Sequence, residues 1–203
     1  MSENNILGVI LAGGKSKRFG EDKSNVKLGG KTLLEHTLNK ITSKFKSIII
    51  VSNSINLKNH IVIKDCIGGQ LGPLVGVLSA MKWIKKKNYS FKWIATFPCD
   101  TPFFSNSLID KFIESSKSND TPLYFAKSEN QRHNIFGLWS INLMKTLEND
   151  IIKNKYRKVE EWANKIGIKT INIDSKEIDL FFNINTKLDL AEAEKILIKY
   201  KND

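Results

Sequence analysis

The chain has 203 residues, 41% of them hydrophobic, and a net charge of +11. That length suits one α/β domain with a substantial core, and no segment has the pattern of a signal peptide or of an apolar span of about 18 residues, so a soluble cytoplasmic protein is expected. The charge does not point to nucleic acid: only Arg18, Arg132 and Arg157 are arginines, and the lysines are scattered over helix faces without interleaved aromatics to stack on bases.

In chain order, Ile6 to Leu11 is a nearly unbroken apolar run, the pattern of a parallel strand buried on both faces. Leu11-Ala12-Gly13-Gly14 and a long basic loop carrying Lys15, Lys17, Arg18 and Lys23 follow it. Adjacent glycines let backbone amides approach an anion, and the cations around them complete the chemistry of a triphosphate cradle. The alternative is a Gly-Gly turn with solvated lysines. A P-loop does not fit, because its first glycine would fall on Val9. A dinucleotide fingerprint does not fit either, because Gly13, Gly14 and Gly20 are wrongly spaced and the next strand ends in Ser52-Asn53 rather than an acid.

Thr32-Leu33-Leu34-Glu35 reads as a capping box opening a helix, with Leu34, Leu38, Ile41 and Phe45 on its inner side. Strands are predicted over residues 47–51 and 61–64, a helix over 74–86, a strand over 93–97 and a helix over 107–115. The run Lys85-Lys86-Lys87 closes the second helix, where cations suit the macrodipole. Further strands are predicted over 123–127, 135–139 and 168–173, and further helices over 143–152, 159–166 and 188–200. Short connections and the absence of repeats or linkers make residues 1–203 a single-domain three-layer α/β/α sandwich, with a mostly parallel, Rossmann-like sheet. Cys66 and Cys99 have no metal-site spacing and are expected to be reduced and buried.

In such a fold, ligands bind at the carboxyl ends of the strands. Three further groups are expected there. Asp100, directly after the 93–97 strand, is a candidate carboxylate for Mg²⁺, which takes one or two protein carboxylates alongside phosphate oxygens and water. Asp65 closes another strand seven residues before Gly72-Pro73-Leu74-Val75-Gly76, and is either a plain strand-end residue before a turn or a carboxylate that accepts from N–H donors of a bound base; Asn53 is a weaker candidate of the same kind. Thr186 with Asp189 is a second cap pattern, before the last helix.

The segments Leu11-Ala12-Gly13-Gly14 through Lys23, Asp65 with Gly72 to Gly76, Pro98-Cys99-Asp100-Thr101-Pro102-Phe103, Arg132 to Trp139, Arg157-Lys158-Val159 and Asn183-Ile184-Asn185-Thr186 together resemble the molybdenum cofactor guanylyltransferases. The resemblance runs from Gly8 to about Ala193. It departs at Phe19 for the usual Met, at Asn134 where Pro is common, and at Ser24-Asn25 where apolar residues are usual. It implies the nucleotide-diphospho-sugar transferase type of fold and transfer of GMP from GTP to molybdopterin, with release of pyrophosphate. Leu11, Ala12, Gly13, Gly14, Lys23, Asn53, Asp65 and Asp100 would bind nucleotide, with Asp100 holding Mg²⁺ and Arg18 and Lys23 offsetting phosphate charge. His133, Arg157, Asn183 and Asn185 would line the acceptor side. Transient contact with cofactor-synthesis or acceptor proteins is also implied, and no membrane. A related transferase using CTP or a sugar or alditol phosphate, and a non-catalytic nucleotide-binding module, are the alternatives.

Overall fold

The computed structural model describes residues 5–13, 25–69, 71–118, 120–174 and 179–202. Strand β1 (Ile6–Leu11) is followed by a short hairpin, β2 (Lys27–Leu28) and β3 (Lys31–Thr32), and then by α1 (Leu33–Thr42). β4 (Ile48–Val51), β5 (Ile61–Ile63), α2 (Pro73–Lys86), β6 (Trp93–Pro98) and α3 (Asn106–Ser115) complete the first half. The second half comprises β7 (Leu123–Ser128), β8 (Gln131–Ser140), α4 (Met144–Ile152), α5 (Val159–Ile166), β9 (Lys169–Asn172) and α6 (Lys187–Asn202).

Seven strands form one sheet in the order β5-β4-β1-β6-β8-β7-β9. All neighbours are parallel except β8, which runs antiparallel to both β6 and β7. β1 therefore lies between β4, reached through α1, and β6, reached only after β5 and α2. That reversal of winding opens a crevice at the carboxyl end of β1. Helices α1 and α3 bury Leu34, Leu38, Ile41, Leu108, Ile109 and Phe112 on one face of the sheet. Helices α2, α4 and α5 cover the other face with Leu74, Leu78, Met81, Leu147, Ile151 and Trp162. The three layers are those expected from the sequence.

Local signals were obeyed closely where they were strong. Thr32 caps α1 through its hydroxyl, which accepts from the Glu35 amide at 3.1 Å, while the Glu35 carboxylate accepts from the Thr32 amide at 2.6 Å. Three differences stand out. The predicted 135–139 strand begins four residues earlier, at Gln131, and so includes His133. The β2–β3 hairpin was not foreseen, although Gly29 and Gly30, with φ of 56° and 88°, supply the positive φ values of a two-residue hairpin turn. Cys66, expected to be buried, is exposed; it lies in the loop after β5, outside the packed layers, whereas Cys99 is buried.

A buried hydroxyl shapes the crevice side of β8. Opposite the step from Phe125 to Ala126 in β7, β8 pairs first through Gly137 and then through His133, so residues 134–136 bulge out of the ladder. Thr96, fully buried in β6, donates to the Ile135 carbonyl at 2.6 Å and accepts from the Gly137 amide at 3.2 Å and Trp139 Nε1 at 2.9 Å. Gly137 is required at this place. A Cβ there would lie 2.6 Å from Trp139 Nε1 and 2.7 Å from Phe125 Cε1. The Trp139 indole cannot retreat without leaving Thr96, and it is stacked on Trp162 at 5.9 Å between ring centroids. Gly137→Ala is therefore expected to destabilise the fold by about 2 kcal/mol or more, as overpacked cores do; the midpoint of urea unfolding measures this, and an unchanged midpoint contradicts the packing account.

Candidate active site

Each parallel strand delivers its last residues to one edge. β1 ends with Leu11 in register with Val51 of β4 and Pro98 of β6, so the residues after all three strands meet around one crevice. The first of the glycine-loop residues remain in the sheet's hydrogen-bonding pattern. The Ala12 amide donates to the Val51 carbonyl at 3.0 Å, so that donor is already spent and an amide cradle begins no earlier than Gly13. Gly13 is exposed, and a Cβ on it would meet nothing within 4 Å. Gly14, Arg18 and Lys23 lie outside the described residues.

On the β4–β5 side the structure joins Asn53 and Asp65 into a reciprocal pair. Asn53 Nδ2 donates to Asp65 Oδ2 at 2.8 Å, and the Asp65 amide donates to Asn53 Oδ1 at 3.0 Å. The two strand ends are thus locked together and the carboxylate is oriented. Helix α2 approaches this pair closely because Gly76 has no side chain: a Cβ there would stand 2.9 Å from Leu11 Cδ2 and 4.0 Å from Asp65 Oδ1. Ser79, not foreseen as a site residue, completes the brace. Its hydroxyl accepts from the Cys66 amide at 2.8 Å and donates to the Val75 carbonyl at 2.6 Å. The only trace of this in the sequence is a serine among the apolar positions of a helix. Gly72, with φ of 87°, turns the chain into α2, and Pro73 at the first helical position fixes its start.

On the β6 side, Asp100 is half-buried beside buried Thr101, whose hydroxyl reaches Asp100 Oδ1 at 3.5 Å. The Asp100 carbonyl accepts from the Ile184 amide at 2.9 Å. That single backbone bond sets exposed Asn183 and half-buried Asn185 on either side of a residue anchored to Asp100. The segment is fixed from behind by Asp189, whose Oδ2 accepts from the amides of Asn185 and Thr186, both at 2.8 Å, while Thr186 Oγ1 accepts from the Asp189 amide. The cap pattern read from the sequence is therefore present, and it positions Asn185. Among the described residues no group of three His, Cys, Asp or Glu side chains lies together. With one carboxylate at this strand end, a hard cation there would keep water or other outside oxygens as most of its ligands rather than sit in a protein cage.

His133 is held between two partners. Its ring stacks on Phe181 with centroids 3.7 Å apart and planes 11° from parallel, and its Nε2 lies 2.7 Å from Ser128 Oγ. Burial lowers its pKa, against the opposing pull of Asp179, so the ring is mostly neutral at pH 7. Phe181 leads directly into the Asn183–Asn185 segment, which makes His133 a support for that segment. Arg132 turns away toward α5, donating to Asn134 Oδ1 and Asn164 Oδ1 at 2.6 and 3.0 Å. Arg157 uses Nη1 on the carbonyls of Ile151 and Tyr156. Its own carbonyl lies 3.3 Å from where a Gly72 Cβ would be, at the entrance to α2. The structure thus gathers Gly13, Asn53, Asp65, Asp100, Asn183 and Asn185 along one edge, with His133 and Arg157 serving that edge partly as supports.

The family model of the MobA-like NTP transferase domain matches residues 8–166. The molybdenum cofactor guanylyltransferase of Nitrobacter hamburgensis is 29% identical over 194 residues, covering 93% of each chain. That of Rhizobium leguminosarum bv. trifolii is 30% identical, covering 97% of this chain and 95% of its own. Among solved structures, molybdopterin-guanine dinucleotide biosynthesis protein A from Archaeoglobus fulgidus superposes with a TM-score of 0.75 at 21% identity, over 95% of this chain and 99% of that one. The fold is that of the nucleotide-diphospho-sugar transferases. On the strength of a match across most of its length, and of relatives aligned nearly end to end, the chain belongs to the MobA-like NTP transferase family.

Proposed function

We propose that this protein transfers GMP from GTP to molybdopterin, forming the guanine dinucleotide cofactor and pyrophosphate. The observation that carries this reading is the convergence of Gly13, the Asn53–Asp65 pair and Asp100 on the switch-point edge of a fold whose curated relatives bear that activity in their names. A terminal phosphate oxygen of molybdopterin attacks the α-phosphorus of GTP; the bond from that phosphorus to the bridging oxygen of the β-phosphate breaks, and pyrophosphate departs. The acceptor phosphate is itself the nucleophile, so the protein's task is in-line positioning and neutralisation of charge.

Backbone from Gly13 through Gly14 approaches the phosphates, and Leu11 and Ala12 set the floor on which the nucleotide lies. Asp65, oriented by Asn53, accepts from the guanine N–H edge. Arg18 and Lys23 offset charge on the α-phosphate and the leaving pyrophosphate. Asp100 would hold Mg²⁺, which when bound supplies Lewis-acid polarisation of the phosphate oxygens and a template for them. Asn183, Asn185 and Arg157 face molybdopterin, and His133 steadies the first two through Phe181. Among the described residues no helix is long and apolar enough to cross a membrane, which accords with work in the cytoplasm.

The primary test supplies purified protein with Mg²⁺, molybdopterin and each nucleoside triphosphate in turn, and follows pyrophosphate. GTP is expected to be preferred; a preference for CTP, or no turnover with the pterin, rejects the proposal. Three substitutions divide the site. Asp100→Asn should lower turnover by about 10² or more with the fold intact, because an amide is a far weaker ligand for a hard cation. Retention of most activity at ordinary Mg²⁺ would remove Asp100 from the metal site. Asp65→Ala should weaken GTP more than it weakens tripolyphosphate, and equal losses would move Asp65 away from the base. Lys23→Ala should reduce kcat by about tenfold or more, whereas Lys86→Ala, at the exposed end of α2, should leave it unchanged; equal behaviour of the two means that the loop does not cradle phosphate.

A further inference from the structure

A carboxylate on the inward side of α4 is not used by this chemistry. Asp150 is 1% exposed, at the spacing of the core positions Leu147 and Ile151. Three side chains converge on it. Asn154 Nδ2 and Lys165 Nζ donate to Oδ1 at 2.6 and 2.5 Å, and Trp162 Nε1 donates to Oδ2 at 2.9 Å. Its carbonyl also accepts from the Tyr156 amide at 3.1 Å. Burial disfavours the charged form, but the hydrogen bonds from Lys165, Asn154 and Trp162 outweigh it and the carboxyl lies below its ordinary value. A buried ion of this kind is costly to place, and hydrophobic residues of similar shape commonly serve stability as well or better. Its geometry suggests a reason for it.

Of its partners, Asn154 and Tyr156 belong to the loop between α4 and α5, while Trp162 and Lys165 belong to α5. Asp150 therefore closes that loop on itself from inside. The next residue of the loop is Arg157, whose Nη1 reaches back to the Ile151 and Tyr156 carbonyls at 2.9 and 2.7 Å. Among the described residues, Arg157 Nε and Nη2 make no hydrogen bond or ion pair. The Arg157 carbonyl rests against Gly72 at the start of α2, and a helix that follows a parallel strand begins at the strands' carboxyl edge. The loop thus meets the rim of the crevice through the Arg157 backbone, its guanidinium keeps uncommitted donors beside that point, and the buried carboxylate fixes the backbone.

We infer that Asp150 is a positioning residue for the second substrate: it sets the 154–158 loop so that Arg157 meets the phosphate-bearing acceptor. The inference rests on the reading of Arg157 as an acceptor-side residue. It separates Asp150 from a purely structural ion, because its loss must act through Arg157 and on one substrate.

The test measures KM for molybdopterin and for GTP in Asp150→Asn, Arg157→Ala and the double variant. In Asp150→Asn, an amide nitrogen replaces one acceptor and faces a donor, so the tie to the loop or to Trp162 is lost. KM for molybdopterin should rise about tenfold while that for GTP stays within about twofold, and the double variant should bind molybdopterin no worse than Arg157→Ala alone. Should Asp150→Asn fail to fold, Asn154→Ala cuts the same tie without altering the buried charge, and an increase of about threefold in KM for molybdopterin is expected. Multiplicative effects in the double variant, or equal effects on both substrates, overturn the inference. If Arg157→Ala raises KM for molybdopterin but neither Asp150→Asn nor Asn154→Ala does, the inference falls and the acceptor role of Arg157 stands. An unchanged KM for molybdopterin in Arg157→Ala removes that role and the inference with it.

Discussion

The parallel pairing of β1 with β4 on one side and β6 on the other is the constraint on which the site depends. Parallel strands point the same way, so every residue that follows one of them arrives at the same edge. Gly13, Asn53 and Asp100 follow β1, β4 and β6, and β5 adds Asp65 beside Asn53. None of these residues needs to be near another in sequence. The ladder makes them neighbours, and the close seat of α2, permitted by Gly76, supports the Asp65 end from behind.

The other half of the crevice is built on a different principle. β8 enters the sheet antiparallel, so its first residues, not its last, lie at the working edge. The bulge at residues 134–136, fastened by the Thr96 hydroxyl, lets those first residues depart from the ladder. His133 then meets Phe181, and the chain from Phe181 reaches Asp100 through the Ile184 amide. A sequence of weak, short contacts thus joins two strands and a helix cap into one wall. Hydrogen bonds and one ring stack do here what strand register does in the parallel half.

The sequence was most legible where local and tertiary demands agree. The apolar run of β1 and the capping box of α1 each specify their own structure, and both sit where expected, while α2 begins at Pro73, one residue before its predicted start. Legibility failed where a residue's meaning lies in a distant partner. Asn53 and Asp65 were separable candidates in sequence, and only the pairing of β4 with β5 makes them one unit. Asp150 was not singled out, although its place among Leu147 and Ile151 marks an ion on the inward side of a helix. The Gly29-Gly30 turn was readable but its strands, of two residues each, were too short to show periodicity.

The exposure of Cys66 has a practical consequence. Its thiol stands one residue from Asp65, on backbone tethered to α2 by Ser79, while Cys99 is buried under the other side of the crevice. The two sulfurs therefore differ in access to solvent-borne reagents. A maleimide dye would attach beside Asp65 and leave the Asp100 side of the crevice untouched, giving an optical report of events at the Asn53–Asp65 pair that requires no engineered residue.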